Sequence, residues 1–326
     1  MTGGAGFIGS HLTEELVRLG CTVRVVDNLS TGKRENLEHL KDRIELIVGD
    51  VGDPEVGERA VEDVQVVFHV AALPSVPRSL ADPWTTHEAN VNATLRLLLA
   101  SQRAKVRRFV YSSSSSVYGD TARLPKTESM EPLPRSPYAT SKLAGEQYTL
   151  AFARAGIIEG MALRYFNVFG PRQDPHSPYS AAIPLFLDSA FRGTPVTIYG
   201  DGSQTRDFTY VANVVDANVR AASRTGRMIS GSVMNVGAGE RTSLNDLLAL
   251  ITQVTGREIE RIPKPPRPGD VRDSQAALRR AARVIGYQPK VGLHDGLRHT
   301  WEWMCGTRTL LSEQSATLVA AGALQA

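Results

Sequence analysis

Cysteine is nearly absent: Cys21 and Cys305 are the only two in 326 residues. That excludes a disulfide framework. Two thiols so far apart, with no histidines at ligand spacing, predict reduced thiols in a cytosol rather than a structural disulfide, and no zinc site. Long apolar runs are also missing. No stretch of about twenty apolar residues suggests a membrane span, and no basic–apolar–small succession at the start suggests a secretory leader. Neither sign of charge is in large excess. The formal charge is +3, too small and too dispersed to argue for a nucleic-acid partner. Lys33-Arg34 and Arg279-Arg280 read as solvated faces. A cytoplasmic protein with no membrane and no nucleic-acid partner is expected, long enough for a large domain or two lobes.

What is present is alternation. Thr22-Val26, Ile44-Val48, Val64-Val70, Phe109-Ser112 and Met161-Phe166 are short β-branched or apolar runs that predict strands. Ser10-Leu19, Thr85-Arg103 and Tyr138-Ala155 carry apolar residues at helical spacing. Continuous apolar strands alternating with helices predict an α/β fold: a doubly wound parallel sheet covered on both faces. The second half is broken by proline, at Pro171, Pro175, Pro178, Pro184 and Pro195 and again from Pro263 to Pro268. Such segments build loop-rich lobes that cover sites. The expected division is a dinucleotide-binding domain over 1–166 plus about 205–237, a smaller mixed α/β lobe over about 167–204 plus 238–304, and a tail over 305–326, disordered or weakly helical.

Gly3-Gly4-Ala5-Gly6-Phe7-Ile8-Gly9 places Gly3, Gly6 and Gly9 three apart. The first glycine permits a tight turn, the second a close approach of pyrophosphate to backbone, and the third tight packing of helix on strand. The following helix aims its N-terminal N–H groups at the phosphates. Asp27 ends a strand about twenty residues on, where an acid accepts the ribose hydroxyls and repels a 2′-phosphate. NAD is therefore favoured over NADP, although Lys33 and Arg34 are cations that would tolerate a phosphate. Asp50-Val51, after the next strand, is placed to meet adenine or, alternatively, is a strand-end turn. One feature departs from the pattern. Such a loop should follow a buried central strand, and only Met1 and Thr2 precede it. The first strand is thus expected to be truncated, a misplaced start being favoured over a real loss.

Tyr138 and Lys142 stand four apart, after Ser136-Pro137. Proline suits a helix start, and four residues put both side chains on one face. A free phenol titrates near about 10 and is a poor base at neutral pH, so a cation beside it is expected to lower it. The serine run Ser112 to Ser116 leads into Val117-Tyr118-Gly119. A polar linker is a weak account of it, because apolar residues flank it tightly. One of its hydroxyls is placed to hold a substrate oxygen beside the phenol.

As a set, these motifs resemble the extended short-chain dehydrogenase/reductase family, together with Asp27-Asn28-Leu29, His69-Val70-Ala71-Ala72 and Arg164-Tyr165-Phe166-Asn167. Within it, the chain is similar to nucleotide-sugar epimerases acting on UDP-N-acetylglucosamine or UDP-glucose. The resemblance covers about residues 2 to 304. It implies bound NAD, held by Gly3, Gly6, Phe7, Ile8, Gly9, Asp27, Asn28, Asp50, Val51, Ala71, Ala72, Tyr138 and Lys142. It implies Ser114 as the active-site serine, with Ser113 as runner-up, and Tyr138 and Lys142 as the acid/base and its partner. For the UDP-sugar it implies Asn167, Tyr199, Arg206, Arg267 and Asp270, the tyrosine stacking on uracil and the arginines gripping the diphosphate. Ser274 matches a position where a tyrosine restricts the pocket to plain hexoses. Ser115 and Ser116 stand where the dehydratases carry an acid pair, which argues for 4-epimerisation. A decarboxylase, a net reductase or an impaired paralogue are the alternatives. The helices around Trp84-Arg103 and Tyr138-Ala155 match those that form a four-helix bundle across a homodimer.

Overall fold

The strand that the sequence leaves short is present as a single pairing position. In the computed structural model, which describes residues 1–175, 181–224, 229–265 and 271–307, Thr2 bridges in parallel to both Val26 and His69. Its N–H donates to the Phe68 carbonyl, and the Met1 carbonyl accepts from the Val26 N–H. Met1 and Thr2 thereby join two ladders into one parallel sheet. On one side Val23–Asp27 pairs with Ile44–Val48. On the other, Val66–His69, Arg108–Ser114, Glu159–Tyr165 and Ser232–Val236 pair in that order. The chain order reverses about Thr2. In doubly wound sheets such a reversal leaves a crevice beyond the carboxyl ends of the strands.

Burial explains the strands. Every residue of Arg108–Ser114 but the last is buried, as is every residue of Glu159–Tyr165 but the first. Helices cover both faces, leaving two apolar cores. One holds Val67, Leu97, Leu98, Phe109 and Tyr111; the other holds Leu12, Phe68, Val110, Leu163, Val214 and Met234.

Two helices bear on function. Phe7–Arg18 starts after Gly6, with no side-chain cap. The N–H groups of its first turn, which no intrahelical carbonyl satisfies, are left for a ligand. Pro137–Arg154 has Pro137 in its first turn and Ser136 as its cap, the Ser136 hydroxyl accepting the Ala139 N–H at 3.1 Å. The single helix expected over Thr85-Arg103 is interrupted. Pro83–His87 runs into a π-helical turn, Glu88–Asn92, and then Ala93–Arg103.

A third core gathers Phe169, Ile183, Phe186, Leu187, Val196, Ile198, Phe208, Leu247, Leu248, Ile251 and Leu297. It is built on the helices Ala182–Arg192 and Leu244–Thr255 and on the parallel pair Val196–Tyr199 with Arg261–Lys264. Residues 293–307 are helical, so the expected tail begins inside a helix; 308–326 lie outside the described residues. Neither Cys21 nor Cys305 forms a disulfide. No helix among the described residues is long and apolar enough to cross a membrane.

Candidate active site

The glycine loop is held shut by contacts that leave no room for a side chain. Gly3 has φ +67°, and a Cβ there would lie 2.7 Å from the Ala71 nitrogen; one at Gly9 would lie 2.0 Å from the Gly3 carbonyl oxygen. Gly3, Gly6, Phe7, Ile8 and Gly9 form one wall of a cleft of about 1000 Å³. Asp27, Asn28, Asp50, Val51, Ala71 and Ala72 line it too, as do Tyr138 and Lys142 at its other end. Each Asp27 oxygen accepts one backbone N–H at 2.9 Å, from Ala5 and from Leu29, and keeps a lone pair for a ribose hydroxyl. Asn28 donates to Asp50 at 3.0 Å, which ties the two strand ends together. An uncapped helix start, glycine-walled close approach and a strand-end carboxylate are the donor set a dinucleotide needs, so these residues fit NAD.

Segment 171–174 is tied to the helix Phe7–Arg18 and to Lys33, and its Gln173 and Asp174 line this cleft. The Pro171 carbonyl lies 2.9 Å from His11 Nε2, Arg172 pairs with Glu14 at 2.5 Å, and Asp174 pairs with Lys33 at 3.2 Å. Burial pushes His11 down to about 4, so it is neutral and does not oppose Arg172.

At the catalytic end the structure separates two neighbouring serines. Ser113 is buried, and its hydroxyl donates to Glu146 Oε2 at 2.6 Å. Ser114 stands at the strand end, and its hydroxyl acts on the Tyr138 phenol. Its hydroxyl oxygen also accepts the Ser116 N–H at 3.2 Å. Lys142 is buried with its ammonium 4.6 Å above the Tyr111 ring. Burial pulls that ammonium down to about 7, against the upward pull of Glu146. The expected lowering of the Tyr138 phenol is not found in the protein alone. Burial pushes the phenol up from its ordinary value and only the Ser114 hydroxyl pulls it down.

Asn90 is a residue the sequence reading missed. It is buried, accepts the Leu73 N–H at 2.7 Å, and donates to the Leu73 carbonyl and to Ser141 at 3.2 and 3.0 Å. It thereby locks the cleft-lining Leu73 loop to the Tyr138 helix. It sits in the π-helical turn, where the extra residue breaks the 3.6-residue register on which a periodicity argument depends.

The residues expected to hold the substrate are less gathered. Thr205–Arg206 pairs with Thr242–Ser243, and the Arg206 guanidinium donates to the Thr205 and Arg272 carbonyls at 2.9 and 3.0 Å. Ser274 is buried and donates its N–H to the Thr205 carbonyl at 3.1 Å. Positions 206 and 274 are thus brought side by side. Tyr199 ends the strand Val196–Tyr199 and is half-buried. Asn167 is exposed, with φ 20°. Arg267 and Asp270 lie outside the described residues. Ser114, Asn167, Tyr199, Arg206 and Ser274 are not on the wall of the large cleft, whereas Ser113 is.

Residues 1–237 match the model of the NAD-dependent epimerase/dehydratase family. The chain belongs to that family. It is 40% identical over 307 residues to a UDP-glucose 4-epimerase of Mycolicibacterium smegmatis, covering 93% of this chain and 97% of that one. It superposes with TM-score 0.89 and 38% identity on the UDP-N-acetylglucosamine 4-epimerase of Methanobrevibacter ruminantium M1, covering 94% and 97% of the two chains; that protein was solved with UDP-N-acetylmuramic acid. A UDP-N-acetyl-alpha-D-glucosaminuronate decarboxylase of Bacillus cytotoxicus is 32% identical over 317 residues, 93% of this chain and 96% of that one.

Proposed function

We propose that this chain is an NAD-dependent 4-epimerase of UDP-sugars, interconverting UDP-GlcNAc and UDP-GalNAc, with UDP-Glc and UDP-Gal as a second pair. The observation that carries the reading is the pair Tyr138 and Lys142 on the wall of a cleft that fits a dinucleotide, with the Ser114 hydroxyl acting on the phenol. NAD, when bound there, supplies the acceptor and then the donor of a hydride. Ser114 holds the C4 oxygen of the hexose. The Tyr138 phenolate takes the 4-hydroxyl proton as the C4–H bond breaks, and a 4-keto sugar results. It returns that proton when a C4–H bond forms on the opposite face. Proton and hydride are both restored, so the net change is inversion at C4.

Inversion requires the nucleotide to stay fixed while the keto-hexose turns. In this proposal Arg206 and Arg267 grip the diphosphate, Tyr199 stacks on uracil, Asp270 holds the uridine ribose and Asn167 meets the phosphates. Guanidinium forks suit phosphate oxygens. The small, buried Ser274 leaves space that a 2-acetamido group fills. Ser274→Tyr should therefore lose activity on the acetamido pair by tenfold or more while retaining the plain hexoses; equal rates on both pairs reject Ser274 as the selector.

A homodimer is part of the proposal. Leu80, Trp84, Leu99 and Tyr148 are large apolar side chains left 62%, 71%, 39% and 39% exposed. They lie on the helices Val76–Ala81, Pro83–His87, Ala93–Arg103 and Pro137–Arg154, which pack on one another. Pairing with a second copy would cover them.

The deciding assay is incubation with UDP-GlcNAc, UDP-Glc and UDP-glucuronate, followed by separation of products. The expected result is 4-epimers with no net NADH. Release of CO₂ or net NADH turnover favours the decarboxylase or reductase reading. NAD retained without turnover marks an impaired paralogue.

A further inference from the structure

Glu146 lies in the same helix as Tyr138 and Lys142, at the next four-residue step, and is fully buried. Residues four apart share a face, with Cβ atoms about 5–6 Å apart. Its carboxylate accepts three hydrogen bonds: from Arg164 Nη2 at 2.6 Å, from Arg164 Nε at 2.9 Å and from Ser113 at 2.6 Å. Arg164 is itself buried, on the strand Glu159–Tyr165, with its guanidinium 4.6 Å from the centre of the Tyr118 ring. Ser113 immediately precedes Ser114. One carboxylate thus joins the catalytic helix, the strand end carrying the serine, and the next strand of the sheet.

We infer that Glu146 is a positioning residue: clamped by Arg164, it fixes the Ser113–Ser114 strand end against the Tyr138 helix and turns its carboxylate's field on the Lys142 ammonium. This rests on the reading of Ser114, Tyr138 and Lys142 as the reacting machinery. The titratable neighbours identify the source of that field. From its own helix Lys142 faces Tyr138 and Glu146; from the sheet it faces Tyr111 and His69. Burial keeps Tyr111 neutral by pushing it well above its ordinary value. His69 is pushed down to about 3 by burial, with Lys142 and the Met1 amine adding to the effect. Glu146 is the charge acting on Lys142 among the described residues, and it raises the ammonium against desolvation. Around Glu146, the facing groups are Arg164, Tyr111 and, through Arg164, Tyr118 with Glu128 beyond it.

A carboxylate kept only to satisfy Arg164 would be a structural element and nothing more. The two roles separate when both charges are removed together. Glu146→Gln alone strands a buried guanidinium and is expected to destabilise the fold. The double variant Glu146→Gln/Arg164→Met removes the pair and should recover most of the melting temperature. Its kcat against pH, on the UDP-sugar pair the wild type turns over, is the first readout. The alkaline limb, where Lys142 loses its proton, should move down by about one pH unit. A double variant with recovered stability and a wild-type profile overturns the inference. The second readout needs no substrate. Urea stability is measured against pH for wild type and double variant, each with and without Lys142→Met. The difference isolates Lys142, whose contribution should begin to change about one unit lower in the double variant. An unmoved onset also overturns the inference, and it does so even if the enzyme proves inactive on every UDP-sugar.

Discussion

The two ends of the molecule reveal themselves differently. In the dinucleotide half, Gly3, Gly6, Gly9, Asp27, Asp50, Ala71, Tyr138 and Lys142 all reach one cleft. By contrast, Tyr199, Arg206 and Ser274 stand on separate short segments, and residues 205–206 meet residues 272–274 by pairing. The first group is positioned by strand ends of a single sheet and by two helices packed on it. The second is positioned by loops tied together over 66 or more residues of chain. A sheet places its carboxyl-end residues in a plane almost regardless of loop detail; a loop-built lobe has no such frame.

The sharpest way to break the first half is Gly9→Ala. A methyl group 2.0 Å from the Gly3 carbonyl oxygen must displace the loop, costing on the order of 4 kcal/mol. The purified variant should carry no NAD and melt well below wild type; normal NAD content would show that the cradle is not the cofactor site. Next in size, Tyr138→Phe should lower kcat roughly a thousandfold with NAD content and substrate affinity retained. A loss confined to KM would remove the phenol from the chemistry. Arg206→Ala tests the other half. It should raise KM by roughly ten- to a hundredfold, the worth of hydrogen bonds to a charged group, with kcat little changed. A fall in kcat alone would mean that the lobe acts on the reaction and not on binding.

The smallest effect is on stability. Lys142 titrates at about 7 in the folded protein, depressed by burial from 10.5. Between those values the unfolded chain binds the proton and the folded one does not, so stability rises with pH across that window. Below pH 7 both states are protonated and the cost of the buried ammonium is complete. Lys142→Met should therefore raise the melting temperature most below pH 7, with the advantage shrinking toward pH 10.5. A pH-independent difference would mean that Lys142 keeps its ordinary titration in the fold.

Strand positions were legible because apolar continuity marks a strand buried on both faces, as in Arg108–Ser114. The Tyr138 helix was legible from Pro137, whose preference for a helix start is local; the Ser136 cap was seen only in the structure. Asn90 was not, because a π-helical turn leaves no composition signal. Glu146 was not singled out either, since a glutamate at helical spacing looks like a solvated face until Arg164 is seen against it. The choice between Ser113 and Ser114 was likewise invisible: adjacent strand residues point to opposite faces, and nothing local says which face holds the tyrosine.

Composition, spacing and strand–helix alternation determined the parallel sheet, the glycine cradle and the shared face of Tyr138 and Lys142, because each depends on residues within about one helical turn or one strand end. The tertiary structure alone decided which serine meets the phenol, how Met1 and Thr2 join the two ladders, and where Lys142 finds its counter-charge. Those outcomes depend on residues distant in sequence becoming neighbours in a dry interior, where the Glu146 carboxylate offsets part of what burial costs the Lys142 ammonium.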